Sequence, residues 1–160
     1  MHIPADRVLA IDLRMQRFGF VLLERPNMLL DWGVSGYHSS VSKALTRKIA
    51  QVAEQFGPSL ILCRQTFENG KLLDTLKREA LAHSISVHFV TPQAMHDHFA
   101  QCGRPNKYAV SELVARQFPE LAWRMPGKRK PWQSERITQG IFDAAALVIM
   151  DANPNPVNRV

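Results

Sequence analysis

Apolar residues along this chain recur with two different periods, and the switch between them predicts the architecture. Val8, Leu9, Ala10, Ile11 and Leu13 form one short apolar run, and Phe18 to Glu24 forms another of strand length. Arg25-Pro26-Asn27 is a turn signal, and Met28 to Tyr37 reads as a third strand, so an antiparallel meander is expected. The period then lengthens: Val41, Ala44, Leu45, Ile49, Val52, Ala53 and Phe56 repeat every three or four residues, as on one face of a helix. Ser39 or Ser40 can cap its start, and Gly57-Pro58 ends it. Ser59 to Cys63 is apolar on both faces, as in a central parallel strand. A second amphipathic helix follows in "GKLLDTLKREALAHS", a fifth strand in "ISVHFV", and two further helices near 107–118 and 135–150. The predicted order is β-β-β-α-β-α-β-α-α, an α/β chain with a mixed sheet and helices on both faces. There is no repeat and no low-complexity segment, so one domain over residues 1–152 is expected, with a flexible tail over 153–160.

Composition narrows the class. The 160 residues are 46% hydrophobic and 21% charged, ordinary for a soluble domain with a real core. No apolar run approaches the roughly 18 residues of a membrane span, and "MHIPADR" lacks the features of a signal peptide. No membrane partner and a cytoplasmic location are therefore expected. Cys63 and Cys102 have no CxxC neighbour, which argues against a disulfide framework or a zinc site. The net charge is +6, and a basic balance suits a polyanionic partner. Arg124, Lys128, Arg129, Lys130 and Arg136 cluster in "RMPGKRKPWQSER", with Trp123 and Trp132 beside them. That stretch is either a solvated basic turn or a contact for phosphate backbone with an aromatic able to stack.

One residue breaks the opening strand. An ionised Asp12 among apolar neighbours costs several kcal/mol unless something pairs with it. A backbone cap, a basic partner and a metal ion are all candidates. Arg64 directly follows the fourth predicted strand, and adjacency of the first and fourth strands would bring it to Asp12. Chemistry in such sheets gathers where strand ends diverge. His96 and His98 in "MHDHF" are two apart and point to different sides of a helix, so they do not form a ligand pair. Neither GxxxxGK[ST] nor GxGxxG occurs.

"CGRPNKYAVSELVARQF" resembles the G-R-x-x-K-x-x-V-x-x-x-V stretch of RuvC-type Holliday-junction resolvases, matched here by Gly103, Arg104, Lys107, Val110 and Val114. "AIDLRMQRFGF" is similar to that family's A-I-D-P-G-S-x-x-x-G-Y, with Asp12, Gly19 and Phe20 in register. "GPSLILCRQ" resembles P-D-x-x-x-I-E-Q, and "IFDAAALVI" resembles D-A-A-D-A-L-A-I. The resemblance implies a ribonuclease H-like fold with a mixed five-stranded sheet, three antiparallel strands and then parallel ones. It also implies a homodimer acting on branched or structured DNA, in recombination or repair. Two Mg²⁺ (or Mn²⁺) ions would be held by clustered carboxylates for phosphodiester hydrolysis. Asp12 and Asp143 would be catalytic ligands, Lys107 a catalytic neighbour of the scissile phosphate, and Arg104, Lys107, Lys128, Arg129 and Lys130 the nucleic-acid surface.

The chain departs from the pattern at two acids. Arg64 stands where the second catalytic Glu belongs, and Asp143 can match either of two family aspartates, which leaves Gly140 or Ala146 in the other place. Glu135 lies about 80° from Asp143 around an ideal helix and is either a substitute ligand or a first-turn acid that favours the helix dipole. Glu68 is a further acid near Arg64, with a solvated loop position the simpler account. At an effective dielectric near 20, a guanidinium about 4 Å from Mg²⁺ is repelled by roughly 8 kcal/mol. Two readings stay open: a metal-dependent endodeoxyribonuclease, or a non-catalytic DNA-binding relative whose metal site is lost.

Overall fold

A computed structural model of the chain describes residues 6–36, 40–65, 70–130, 132–133 and 136–153. Strands β1 (Arg7–Leu13), β2 (Phe18–Glu24) and β3 (Met28–Ser35) form the meander. Helix α1 (Val41–Phe56) leads to β4 (Leu60–Gln65), α2 (Gly70–Ala82) and β5 (Ser86–Val90). Three helices complete the chain: α3 (Pro92–Gln101), α4 (Lys107–Gln117) and α5 (Gln139–Ala152), with a 3-10 turn over Pro119–Arg124. The sheet order is β3-β2-β1-β4-β5. β1 pairs antiparallel with β2 and parallel with β4, and β4 pairs parallel with β5, so the expected mixed five-stranded sheet is present.

Alternation along the strands sorts the core into two layers. Leu9, Ile11 and Leu13 of β1, with Ile61 and Cys63 of β4, face α1 and α2. Val8 and Ala10, with Leu62, face α3, α4 and α5. Phe18 and Phe20 both belong to the first layer and are buried. The last helix is enclosed along nearly its whole length, from Gln139 to Ile149. Its close approach to the sheet depends on Gly19 opposite Gly140: a Cβ on Gly19 would fall 2.3 Å from the Gly140 carbonyl carbon.

Local signals account for the helix ends. The Lys43 N–H donates to the Ser40 hydroxyl at 3.4 Å, and α1 ends at Gly57 in the left-handed region, with φ of 54°. The Ala109 N–H donates to the Asn106 side chain at 2.9 Å at the start of α4.

Element boundaries and one whole helix differ from expectation. β4 runs on to Gln65, so Arg64 sits inside the strand instead of following it. The last helix begins at Gln139, four residues after the expected start. The chain also holds α3, which the pattern did not predict as a separate helix. Thr91 caps it, accepting from the Ala94 N–H at 3.1 Å, and Pro92 opens it, while Met95, His98 and Phe99 form its buried stripe. A histidine within that stripe disguises the apolar period. His98 is buried and His96 exposed, as their spacing requires.

Candidate functional site

The site grows from strand alternation. Asp12 follows Val8 and Ala10 on the α5 side of β1, and β4 aligns Arg64 directly beside it. Arg14 lies two residues past Asp12. From the other side, α5 presents Asp143, with Gln139 one turn earlier. Asp12 is fully buried, Asp143 is 3% exposed and Arg64 is 7% exposed, so water does little of the charge compensation here.

Two guanidiniums bridge the two acids. Arg14 donates from Nε to Asp12 Oδ2 at 2.7 Å and from Nη2 to Asp143 Oδ2 at 2.8 Å. Arg64 Nη1 lies 2.7 Å from Asp143 Oδ2 and 3.5 Å from Asp12 Oδ1. Gln139 Nε2 donates to the remaining oxygen, Asp143 Oδ1, at 3.0 Å. Lys107 Nζ stands 3.6 Å from Asp143 Oδ2 at the solvent edge. Burial, and then the charge of Asp143, push the Asp12 carboxyl up to about 6, against the pull of Arg14 and Arg64. Burial also raises the Cys63 thiol to about 12, with Asp12 adding to it, which makes that sulfur a poor nucleophile.

The residues present do not fit a pair of divalent ions. A hard cation needs carboxylate lone pairs facing an open position. Each of the four oxygens of Asp12 and Asp143 instead meets a protein donor. Among the described residues, no group of three or more His, Cys, Asp or Glu could share an ion. Arginine does not shed its proton to make room. The structure thus pairs the buried Asp12 with basic partners. Glu135 and Glu68 lie outside the described residues.

A basic cavity of about 570 Å³ opens beside this centre, lined by Lys107, Tyr108, Lys128, Arg129, Arg136 and Gln139 among others. No carboxylate lines it among the described residues. The Lys128 ammonium sits 5.3 Å from the Tyr108 ring centroid, and the Lys130 ammonium 5.3 Å from that of Trp132. Trp123 and Trp132 are 72% and 77% exposed. Arg104 donates from Nη1 to the Ala109 carbonyl at 3.1 Å and borders a second, smaller cavity that Lys107 also lines.

The structure therefore brings Asp12, Arg64, Lys107 and Asp143 into one cluster, with Lys128 and Arg129 beside it. Sequence reasoning missed Arg14 and Gln139. A signal for Arg14 was available: it stands at the Gly of A-I-D-P-G-S, and two residues past Asp12 alternation returns to the same face.

No family model matches the chain, and no curated protein sequence matches it. Solved structures do. A Thermus thermophilus RuvC structure superposes with a TM-score of 0.66 at 16% identity, covering 91% of this chain and 93% of that one. A structure of T. thermophilus RuvC in complex with Holliday junction substrate gives 0.64 at 15% identity, with 92% of each chain covered. The fold is RuvC-like and ribonuclease H-like.

Proposed function

We propose that this RuvC-like domain, spanning residues 1–152, binds branched or structured DNA and does not hydrolyse the strands it holds. One observation carries the second half of that reading: Arg14 and Arg64 occupy the carboxylate oxygens that divalent ions would need. At an effective dielectric near 20, each guanidinium would repel a divalent ion about 4 Å away by roughly 8 kcal/mol. The first half rests on the basic cavity beside Lys107, which no carboxylate lines among the described residues, on the exposed Trp132 beside Lys130, and on the fold shared with a protein solved on a Holliday junction. Arg104, Lys107, Lys128, Arg129 and Lys130 meet phosphate in this reading. A homodimer that holds two related strands, in the cytoplasm, completes it. No described helix is long and apolar enough to cross a membrane.

A second reading has its own support. Asp12 and Asp143 converge with Lys107 beside them, which is the carboxylate-and-lysine arrangement a metal-dependent nuclease would start from. Incubating the protein with a labelled four-way junction, with Mg²⁺, Mn²⁺ or chelator, separates the two. Binding in all three conditions with intact strands is the expected outcome. Metal-dependent cutting that disappears in Asp12→Asn would establish the nuclease instead.

A further inference from the structure

The second cavity, about 280 Å³, is lined by α3, the start of α4 and Arg64 near the end of β4, and it shares Asn106 and Lys107 with the basic cavity. Its composition differs from its neighbour's. Met95, Phe99 and Val110 supply an apolar wall, Arg64, Arg104 and Lys107 supply cationic groups, and Asp143, paired with Arg64 and near Lys107, is the one carboxylate among the described lining residues. Met95 and Phe99 are buried and belong to the core, so this wall is held rigidly by packing.

Arg64 adds an independent sign of a ligand. Its Nη1 serves the two acids, but its Nε is buried and has no hydrogen-bond partner among the described residues. A buried donor left unmade is destabilising, more so when it carries charge. Native interiors satisfy the great majority of such groups, and a specific exception calls for an explanation. The orphaned donor belongs to a residue that lines this cavity, and the nitrogen itself is enclosed, so an incoming acceptor meets it as the guanidinium turns toward the cavity.

The size limits what that acceptor can belong to. Small-molecule pockets begin at roughly 300 Å³, so this space takes one compact planar group and not a stacked pair. An apolar wall beside cationic groups suits a flat ring that carries edge acceptors and is tethered to a phosphate. That is the chemistry of a nucleotide with its base out of the stack.

We propose that this cavity receives a single unpaired base, with its edge accepting from Arg64 Nε and its phosphate resting against Lys107 and Arg104. The inference rests on the DNA-binding reading and names what that site selects. A base already unpaired at a branch point or bulge enters at least cost, because no stacking or pairing must be broken. Preference for branched DNA then follows from the availability of such bases. The Arg64 side chain links the two features, since it compensates the buried acids through Nη1 and offers Nε to the base.

The test uses duplexes that differ at one unpaired nucleotide, an adenine in one and an abasic sugar in the other, titrated by fluorescence anisotropy. A base seated against Phe99 and Val110 adds contacts that an abasic sugar lacks, so the adenine bulge should bind about tenfold tighter. 2-Aminopurine at that position should change its emission on binding, and Val110→Trp, which fills the space, should bring the two affinities together. Equal affinity of the wild-type protein for both bulges would overturn the pocket and leave DNA binding standing. Failure to bind either duplex or a four-way junction would overturn the DNA-binding reading itself.

Discussion

Asp12 and Asp143 are two acids in the interior with Arg14 and Arg64 threaded between them, and the arrangement has consequences that titration can read. The Asp12 carboxyl lies near 6 in the folded protein against 3.8 in the unfolded chain. Between those values the folded state holds the extra proton, so this group's stabilising contribution is complete below about 4 and is lost as pH rises through 6. The expected effect is on the order of 3 kcal/mol, read as the slope of unfolding free energy against pH. Asp12→Asn should flatten that slope relative to the wild type. Installing residues of the resolvase pattern tests the same cluster from another direction. Arg14→Gly with Arg64→Glu removes two guanidiniums and adds a third carboxylate. Calorimetry should then detect Mn²⁺ binding by the double variant and none by the wild-type protein.

At the scale of elements, the site depends on how closely α5 lies against β2. A methyl group on Gly19 would meet the Gly140 backbone at 2.3 Å, and backbone cannot rotate away as a side chain can. Gly19→Ala must lift the helix that carries Asp143 and Gln139. Overpacking of this kind costs about 1–3 kcal/mol and occasionally more, so a loss at or above the top of that range is expected in denaturant unfolding. The ion pairs should loosen with it. Gly140→Ala meets Gly19 at 3.3 Å and should cost less, which makes the pair an internal control.

At the scale of the molecule, the basic surface is assembled from distant parts of the chain. Lys107 opens α4, while Lys128, Arg129 and Arg136 come from the segment before α5, and they meet around one cavity. A surface that works by displacing counterions from DNA should lose affinity linearly with the logarithm of salt concentration. Lys128→Ala and Arg129→Ala should each weaken junction binding and lower that salt slope by about 1, measured by anisotropy across a salt series.

Much of this protein is legible in its sequence because the controlling forces are local or periodic. Alternating strands, the repeating helix face, and the caps at Ser40 and Gly57 are read from neighbouring residues, and together they specify the element order around the sheet. Helix α3 escaped because a buried histidine interrupts its apolar stripe, and burial is a property of what packs opposite. The orientation of Arg64 was beyond the sequence for a similar reason. Whether a guanidinium turns to solvent, to phosphate or into the core depends on which carboxylates wait there, and Asp12 and Asp143 are separated along the chain by most of its length. An acid on the opening apolar strand is visible from the residues alone, and so is its need for a partner. That two arginines supply it emerges on folding, because ion pairing is settled by distances that close when the sheet and the last helix meet.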